Sequence, residues 1–264
     1  MIEIFHYGFM QNALLAGAIA AVLCGVVGIY VILNRLVFIG GGIAHSAFGG
    51  IGLGYLLGAN PLVYAILFSL ATALGIGALS DRSKVSEDTA IGVFWAVGMS
   101  LGIVFISLSP GRAPDLFDYL FGNILAVSSF DILIISALTL GMILLVALLY
   151  KELLILSFDP LYGEAVGLPV LRLRLLLLSM VALSVVVLIK IVGIILVIAL
   201  LTIPGAIGRQ RAKSLKGIML LSIFLGISFV SVGLLASYHL NTPSGATIIL
   251  AAAATFFLST ILSR

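Results

Sequence analysis

The sequence predicts an all-α fold, a polytopic bundle of about nine transmembrane helices. Of its 264 residues, 62% are hydrophobic and only 9% are charged, and the mean hydropathy is +1.35; a soluble domain carries about 25% charged residues. The apolar residues form long unbroken runs, whereas a transmembrane β-barrel shows short segments of alternating hydrophobicity. We therefore expect an integral membrane protein whose residues 1–264 form a single transmembrane domain in a lipid bilayer.

Nine apolar segments are interpreted as membrane spans, since a helix needs about 20 residues to cross the hydrocarbon core and the segment boundaries are approximate. They lie at 8–33, 40–58, 62–79, 90–109, 131–149, 174–189, 191–207, 217–236 and 246–262. The sixth and seventh segments are separated only at "LIKIVG". A tight hairpin and one long broken helix both fit this separation, so eight spans is the alternative count.

The basic residues predict how the chain is oriented, because short cytoplasmic loops carry an excess of Lys and Arg. With the N-terminus outside and the C-terminus cytoplasmic, eleven of the thirteen fall on the inner side. These are Arg35, Arg82, Lys84, Lys151, Arg172, Arg174, Arg209, Arg211, Lys213, Lys216 and Arg264. Only Arg112 and Lys190 remain outside. The small net charge of +3 fits anionic lipid headgroups and gives no indication of nucleic-acid binding.

Two outer connections are predicted to be more than simple turns. In segment 109–131, an apolar face indicates a short surface helix with Asp115 at its start; this face consists of Leu116, Tyr119, Leu120 and Ile124. Asp131 is expected to cap the fifth span. The segment "SYHLNTPSGAT" (237–247) reads as a Pro/Gly turn before the last span.

The inner segment 156–174 carries a clear helix-start signal. Asp159 stands immediately before Pro160, and proline is favoured at the first position of a helix. Gly167 is expected to end this helix after about two turns. A short helix is thus predicted on the basic side of the membrane.

The stretch "FIGGGIAHSAFGG" (38–50) places one histidine inside an apolar span. Small residues four apart form a ridge on which another helix packs closely; they are Gly42, Ser46, Gly50, Gly54 and Gly58. His45 lies on the adjacent ridge, between Gly41 and Gly49, near the middle of the bilayer. A polar residue at this depth is costly and normally faces a cavity or the bundle interior. We predict that His45 lines a permeation path; a hydrogen bond to a neighbouring helix is the alternative.

A neutral imidazole is a ligand for zinc and, less selectively, for manganese, iron, copper or nickel. One histidine is not a complete site, so other ligands are expected from other helices or from a second copy of the chain. The sequence has no G-x-x-x-x-G-K-[ST], H-E-x-x-H or G-x-S-x-G pattern. We therefore expect neither a nucleotide site nor an enzyme, and active transport must draw its energy from a partner or an ion gradient.

Six stretches, in order along the chain, resemble the membrane permease subunits of zinc/manganese/iron ABC importers. They are "ILNRLVFIGGGIAHSAFGGIGLG" (32–54), "EDTAIGVFWAVGMSLGI" (87–103), "DYLFGNILAVSSFD" (118–131), "FDPLYGEAVGL" (158–168), "VGIILVIALLTIPGAIGR" (192–209) and "SYHLNTPSGATIIL" (237–250). The resemblance implies a type II ABC importer-like permease, with the all-helical fold shared with vitamin B12 and siderophore permeases. It also implies a multi-pass protein of a prokaryotic inner membrane.

The resemblance further implies roles and partners. The short inner helix with Asp159, Pro160, Glu164 and Gly167 is the element that docks into an ATPase subunit, and His45 is a ligand for the transported metal. The expected assembly is a homodimer with two copies of a cytoplasmic ABC ATPase, which binds the ATP. An extracytoplasmic metal-binding protein is expected to dock on 109–130 and 237–245. No covalently bound cofactor is expected.

The chain departs from the family pattern at position 41. That pattern reads Gly-Asp-x-x-x-His, but glycine occupies the position four before His45. Loss of a hard oxygen ligand weakens manganese binding more than zinc binding, so zinc is the favoured cargo, with manganese or iron as alternatives. Two rival functions are a permease for a metal chelate or siderophore and an ion-driven secondary carrier. The carrier is disfavoured because no Asp or Glu lies in the middle of a predicted span.

Overall fold

The computed structural model describes residues 7–82, 85–110 and 120–262, and these residues form helices and no strand. The helices are α1 (Gly8–Leu33), α2 (Val37–Leu56), α3 (Pro61–Arg82), α4 (Glu87–Leu108), α5 (Ser129–Leu148), α6 (Tyr150–Phe158), α7 (Pro160–Ala165), α8 (Val170–Val192), α9 (Ile194–Arg211), α10 (Leu215–Leu240) and α11 (Ser244–Leu262). A 3-10 turn at Ile124–Ala126 precedes α5.

Within the described ranges, nine helices are long and apolar enough to span a membrane, namely all except α6 and α7. The predicted all-α transmembrane bundle is confirmed, with each observed helix overlapping its predicted segment. The structure favours nine spans over the eight-span alternative, because α8 and α9 are separate helices that meet at Gly193 and each is long enough to span a membrane. This glycine has φ +80°, a left-handed conformation that interrupts helical hydrogen bonding and that glycine adopts without steric cost.

The chain divides into two compact units. The first joins 1–32, 116–147 and 188–264, and the second joins 33–115 and 148–187. The first unit contains α1, α5 and α9–α11, and the second contains α2–α4, α6, α7 and most of α8. The single domain predicted over 1–264 stays a prediction.

Close backbone approach dominates the packing of α2, α3 and α4 in the second unit. A Cβ atom built on Gly98 of α4 would lie 2.5 Å from the Cα of Ser46 on α2. Further along α2, a Cβ on Gly54 would lie 2.5 Å from the Cα of Pro61 on α3. The predicted role of small residues in letting helices approach is therefore confirmed for α2.

Gly58 was predicted on the same ridge but lies beyond the end of α2. Its φ is +62°, and its N–H donates to the carbonyl of Tyr55 while the N–H of Ala59 donates to that of Gly54. These two bonds form a Schellman motif, which ends a helix after a left-handed glycine. The predicted segment ends at residue 58 because the apolar residues continue beyond Leu56, where the motif ends the helix.

The segment that precedes α5 is described from residue 120 onward. Leu116, Tyr119 and Asp115, three residues of the predicted surface helix, lie outside the described residues. Ile124 lies in the 3-10 turn and is only 2% exposed, because it packs on α1 at Gly17. Ile124 is therefore a buried apolar residue of the first unit, but it lies in a 3-10 turn of three residues rather than in the predicted surface helix.

Candidate functional site

His45 lies in the middle of α2 and its ring stacks on Trp95 of α4. The two ring centroids are 4.2 Å apart and the planes differ by 9°. The imidazole is half-buried, and its Nδ1 atom is buried with no hydrogen-bond partner among the described residues. The alternative prediction, a hydrogen bond to a neighbouring helix, is not found for this nitrogen.

The small residues around His45 explain why the two rings meet. Gly98 allows the backbone of α4 to approach α2 at Ser46, which also forms a 2.6 Å hydrogen bond with Thr72 of α3. Trp95 lies three residues before Gly98, which is close to one helical turn. The close contact at Ser46 therefore places the indole beside the residue that precedes Ser46.

His45 does not form a complete metal site by itself. Among the described residues no group of three or more His, Cys, Asp or Glu side chains is close enough to hold a metal ion. Position 41, one turn before His45, is a buried glycine and contributes no side-chain ligand. A metal ion bound at His45 would therefore need further ligands from outside this set of side chains.

The predicted short helix on the inner side is α7, and its two ends form as expected. The Asp159 carboxylate accepts a 2.9 Å hydrogen bond from the Tyr162 N–H, and Pro160 is the first helical residue. At the other end Gly167 has φ +82°. Its N–H donates to the Glu164 carbonyl, and the N–H of Leu168 donates to that of Gly163, again as a Schellman motif.

One face of α7 packs on neighbouring helices of the second unit and the other is exposed. Gly163 is buried, and a Cβ added there would lie 3.2 Å from side chains of Ile155 and Val170. The exposed apolar side chains of this region are Phe158 (64%), Leu161 (77%), Tyr162 (55%) and Val166 (51%). The α7 region therefore combines a fixed backbone with an exposed apolar surface, on which Glu164 is also exposed.

Two polar contacts near α7 were not anticipated from the sequence. Arg174 of α8 pairs with Glu87 of α4 at 2.7 Å, and the Asn34 side-chain amide donates a 2.9 Å hydrogen bond to Ser157. A cavity of about 290 Å³ lies beside these contacts, lined by residues 33–36, Leu156, Ser157, Pro160 and the first half of α8. The partners are 87 and 123 residues apart in sequence, so local spacing gives no signal for either contact.

Asp131 takes part in capping α5, but as the third helical residue, while Ser128 is the N-cap. Its carboxylate accepts hydrogen bonds from the N–H and hydroxyl of Ser128, and its own N–H donates to the Ser128 hydroxyl oxygen. This reciprocal arrangement is a capping box. The same carboxylate also pairs with Lys190 at 2.6 Å, so this lysine has a specific partner.

The sequence of the chain matches the ABC 3 transport family over residues 6–263. The chain belongs to this family. A manganese transport system membrane protein of Listeria innocua is 38% identical over 97% of this chain and 91% of its own length. A probable iron transport system membrane protein of Haemophilus influenzae is 31% identical over 100% of this chain and 97% of its own length.

A solved structure, PsaBC from Streptococcus pneumoniae in complex with Fab, is similar with a TM-score of 0.88. It is 35% identical and the match covers 98% of this chain and 93% of that chain. The predicted resemblance to membrane permease subunits of metal ABC importers is thereby confirmed. This family member is a multi-pass membrane permease subunit of a transporter.

Proposed function

We propose that the chain carries a divalent first-row transition metal ion inward across the membrane, with manganese as the leading cargo. The observation that carries this proposal is an imidazole in the middle of a transmembrane helix, with a buried Nδ1 that lacks a partner among the described residues. The name of the Listeria relative supports manganese and that of the Haemophilus relative supports iron. Zinc is the rival cargo. The absence of an oxygen ligand at Gly41 is the argument for zinc over manganese.

The energy for transport is proposed to come from two copies of a cytoplasmic ABC ATPase that dock on α7. The exposed side chains of Leu161 and Tyr162 offer apolar surface, and the capped ends of α7 hold that surface in one conformation. A short rigid helix is suited to transmit movement because it moves as one body with the residues that it contacts. Asp159, Pro160 and Gly167 shape this helix, and Glu164 provides a charge on its exposed side.

The assembly is proposed to be a homodimer with the N-terminus outside and an extracytoplasmic metal-binding protein docked on the outer loops. A second copy of the chain supports the metal site, because two imidazoles and water form a more complete coordination shell than one. The ion-driven carrier is a weak rival, since the described acidic residues of the long helices lie at helix ends. Examples are Asp81 at the end of α3, Glu87 at the start of α4 and Asp131 at the start of α5.

The test is uptake by the full permease with its ATPase in proteoliposomes, with manganese and zinc supplied separately and in competition. His45→Ala is expected to reduce uptake at least 10-fold, because a metal ligand at the middle of the path is lost. Leu220→Ala is the control, since Leu220 is an exposed side chain of α10 that lies outside the proposed site and the proposed docking segments. Unchanged uptake by His45→Ala contradicts the proposed site, and a consistent preference for zinc contradicts manganese as the leading cargo.

A further inference from the structure

We propose that Trp95 is a positioning residue for the cargo site, which holds the His45 imidazole in one orientation by stacking on it. This inference rests on the proposed function, in which His45 is a metal ligand. A metal-binding histidine is normally oriented by a hydrogen bond from its second ring nitrogen. Nδ1 of His45 has no such partner among the described residues, whereas the whole ring lies parallel to the indole.

The geometry of the stack is compatible with metal binding. The lone pairs of imidazole nitrogens lie in the plane of the ring, while the indole covers one face of it. A metal ion therefore approaches the edge of the ring without displacing Trp95. The indole also limits rotation of the imidazole and excludes water from the covered face.

Trp95 is placed for this role more than for packing of the helix pair. It remains 37% exposed, and the close backbone contact between α2 and α4 is made by Gly98 at Ser46. Replacing the indole should therefore leave the helix contact intact while freeing the imidazole. The interaction of an aromatic pair corresponds to about 2- to 10-fold in an equilibrium constant.

The first measurement uses the fluorescence of the full-length permease in detergent micelles, because Trp95 is the only tryptophan of the chain. Mn²⁺ and Zn²⁺ are titrated separately, and Mg²⁺ serves as the control ion. A saturable change in emission with the transported metal, absent in His45→Ala and absent with Mg²⁺, is expected. If the emission does not change during the metal titration although uptake depends on His45, the inference is wrong.

The second measurement compares Trp95→Leu with Trp95→Phe in the permease–ATPase complex in proteoliposomes. Trp95→Leu keeps an apolar side chain but removes the ring, so KM for metal uptake is expected to rise about 2- to 10-fold with little change in maximal rate. Trp95→Phe keeps a stacking ring and is expected to restore KM. Phe94→Leu is the matched control, because Phe94 packs on Gly75 of α3 instead of on His45.

The outcomes separate the inference from the proposed function. If His45→Ala abolishes uptake and Trp95→Leu leaves KM unchanged, Trp95 does not position the ligand and only the inference fails. If His45→Ala leaves uptake unchanged, the proposed function fails and the inference fails with it. An equal loss of maximal rate in Trp95→Leu and Trp95→Phe also overturns the inference, since it indicates a structural role for the indole.

Discussion

At the scale of single residues, position 41 would set how many hard oxygen ligands the proposed metal site offers. Gly41 lies one helical turn before His45, and positions four apart share a helix face. A carboxylate at 41 would supply the oxygen that manganese prefers more strongly than zinc does. A single substitution at position 41 would therefore be enough to test whether the proposed site prefers manganese or zinc.

Gly41→Asp is expected to raise the ratio of manganese to zinc uptake in proteoliposomes. The change places a carboxylate near the bilayer centre, at a cost of about 2.5–3.5 kcal/mol unless it faces water or a cation. Normal insertion with a shifted metal ratio means that position 41 faces the translocation path. A variant that inserts and shows an unchanged ratio contradicts the proposed geometry.

Gly42→Asp is the matched control for that variant. A Cβ added at Gly42 would lie 2.6 Å from a side-chain carbon of Ile91 on α4. The control is therefore expected to lose folded protein by size-exclusion chromatography. If both variants fail to insert, position 41 is a packed contact, and the prediction that His45 lines the path is weakened.

At the scale of secondary structure elements, the contact between α2 and α4 depends on glycine. Gly98→Ala is expected to destabilise the permease by about 1–3 kcal/mol, the cost of forcing an extra methyl group into a packed contact. The added Cβ would lie 2.5 Å from the Cα of Ser46, a backbone atom that cannot turn aside. A lower melting temperature of the purified protein measures this effect.

Gly92→Ala on the same helix is the control, because a Cβ there meets no atom within 4 Å. It is expected to be neutral or stabilising by about 0.5–1 kcal/mol, since alanine loses less backbone entropy in a helix. Equal melting temperatures for the two variants would contradict the packing account.

The exposed charge of Glu164 on α7 allows the proposed contact with the ATPase to be tested. Glu164→Arg is expected to weaken binding of the ATPase in pull-down assays, because the exposed charge is reversed, and Glu164→Gln to have a smaller effect. Neither change touches Asp159 or Gly167, which fix the ends of the helix. Unchanged binding and unchanged coupled ATP hydrolysis in Glu164→Arg would mean that the ATPase docks elsewhere.

The elements that were predictable are those that local signals define. The nine spans follow from the length of apolar runs, and α7 follows from Asp159 and Pro160 at one end and Gly167 at the other. The end of α2 was placed too late, because hydrophobicity continues past the Schellman motif at Gly58. Hydropathy reports where a chain prefers lipid, whereas hydrogen bonds decide where a helix ends.

The site was predictable only in part for a related reason. His45 stands out in the sequence because a polar residue in a span is rare. Its partner Trp95 lies 50 positions further along the chain, and the stack depends on the register between α2 and α4. The same holds for the Arg174–Glu87 pair, since no periodicity within one helix records which residue of another helix it meets.

At the scale of the whole molecule, the orientation in the membrane can be tested with one helix. The helix α10 runs through 26 residues and is about 39 Å long at 1.5 Å per residue, so its two ends lie on opposite sides of the bilayer. Lys213, just before its start, and His239, near its end, are both exposed. Cys24 is the only cysteine in the sequence and is buried. Labelling by a maleimide therefore reports on an introduced cysteine.

His239→Cys is expected to react with a membrane-impermeant maleimide in intact cells, and Lys213→Cys only after the membrane is permeabilised. The reason is the bias of eleven basic residues toward one side, which predicts that side to be cytoplasmic. The unmodified chain serves as the control for background labelling of Cys24. The opposite labelling pattern would place the N-terminus in the cytoplasm, and α7 would then lie on the side of the membrane from which no ATPase can reach it.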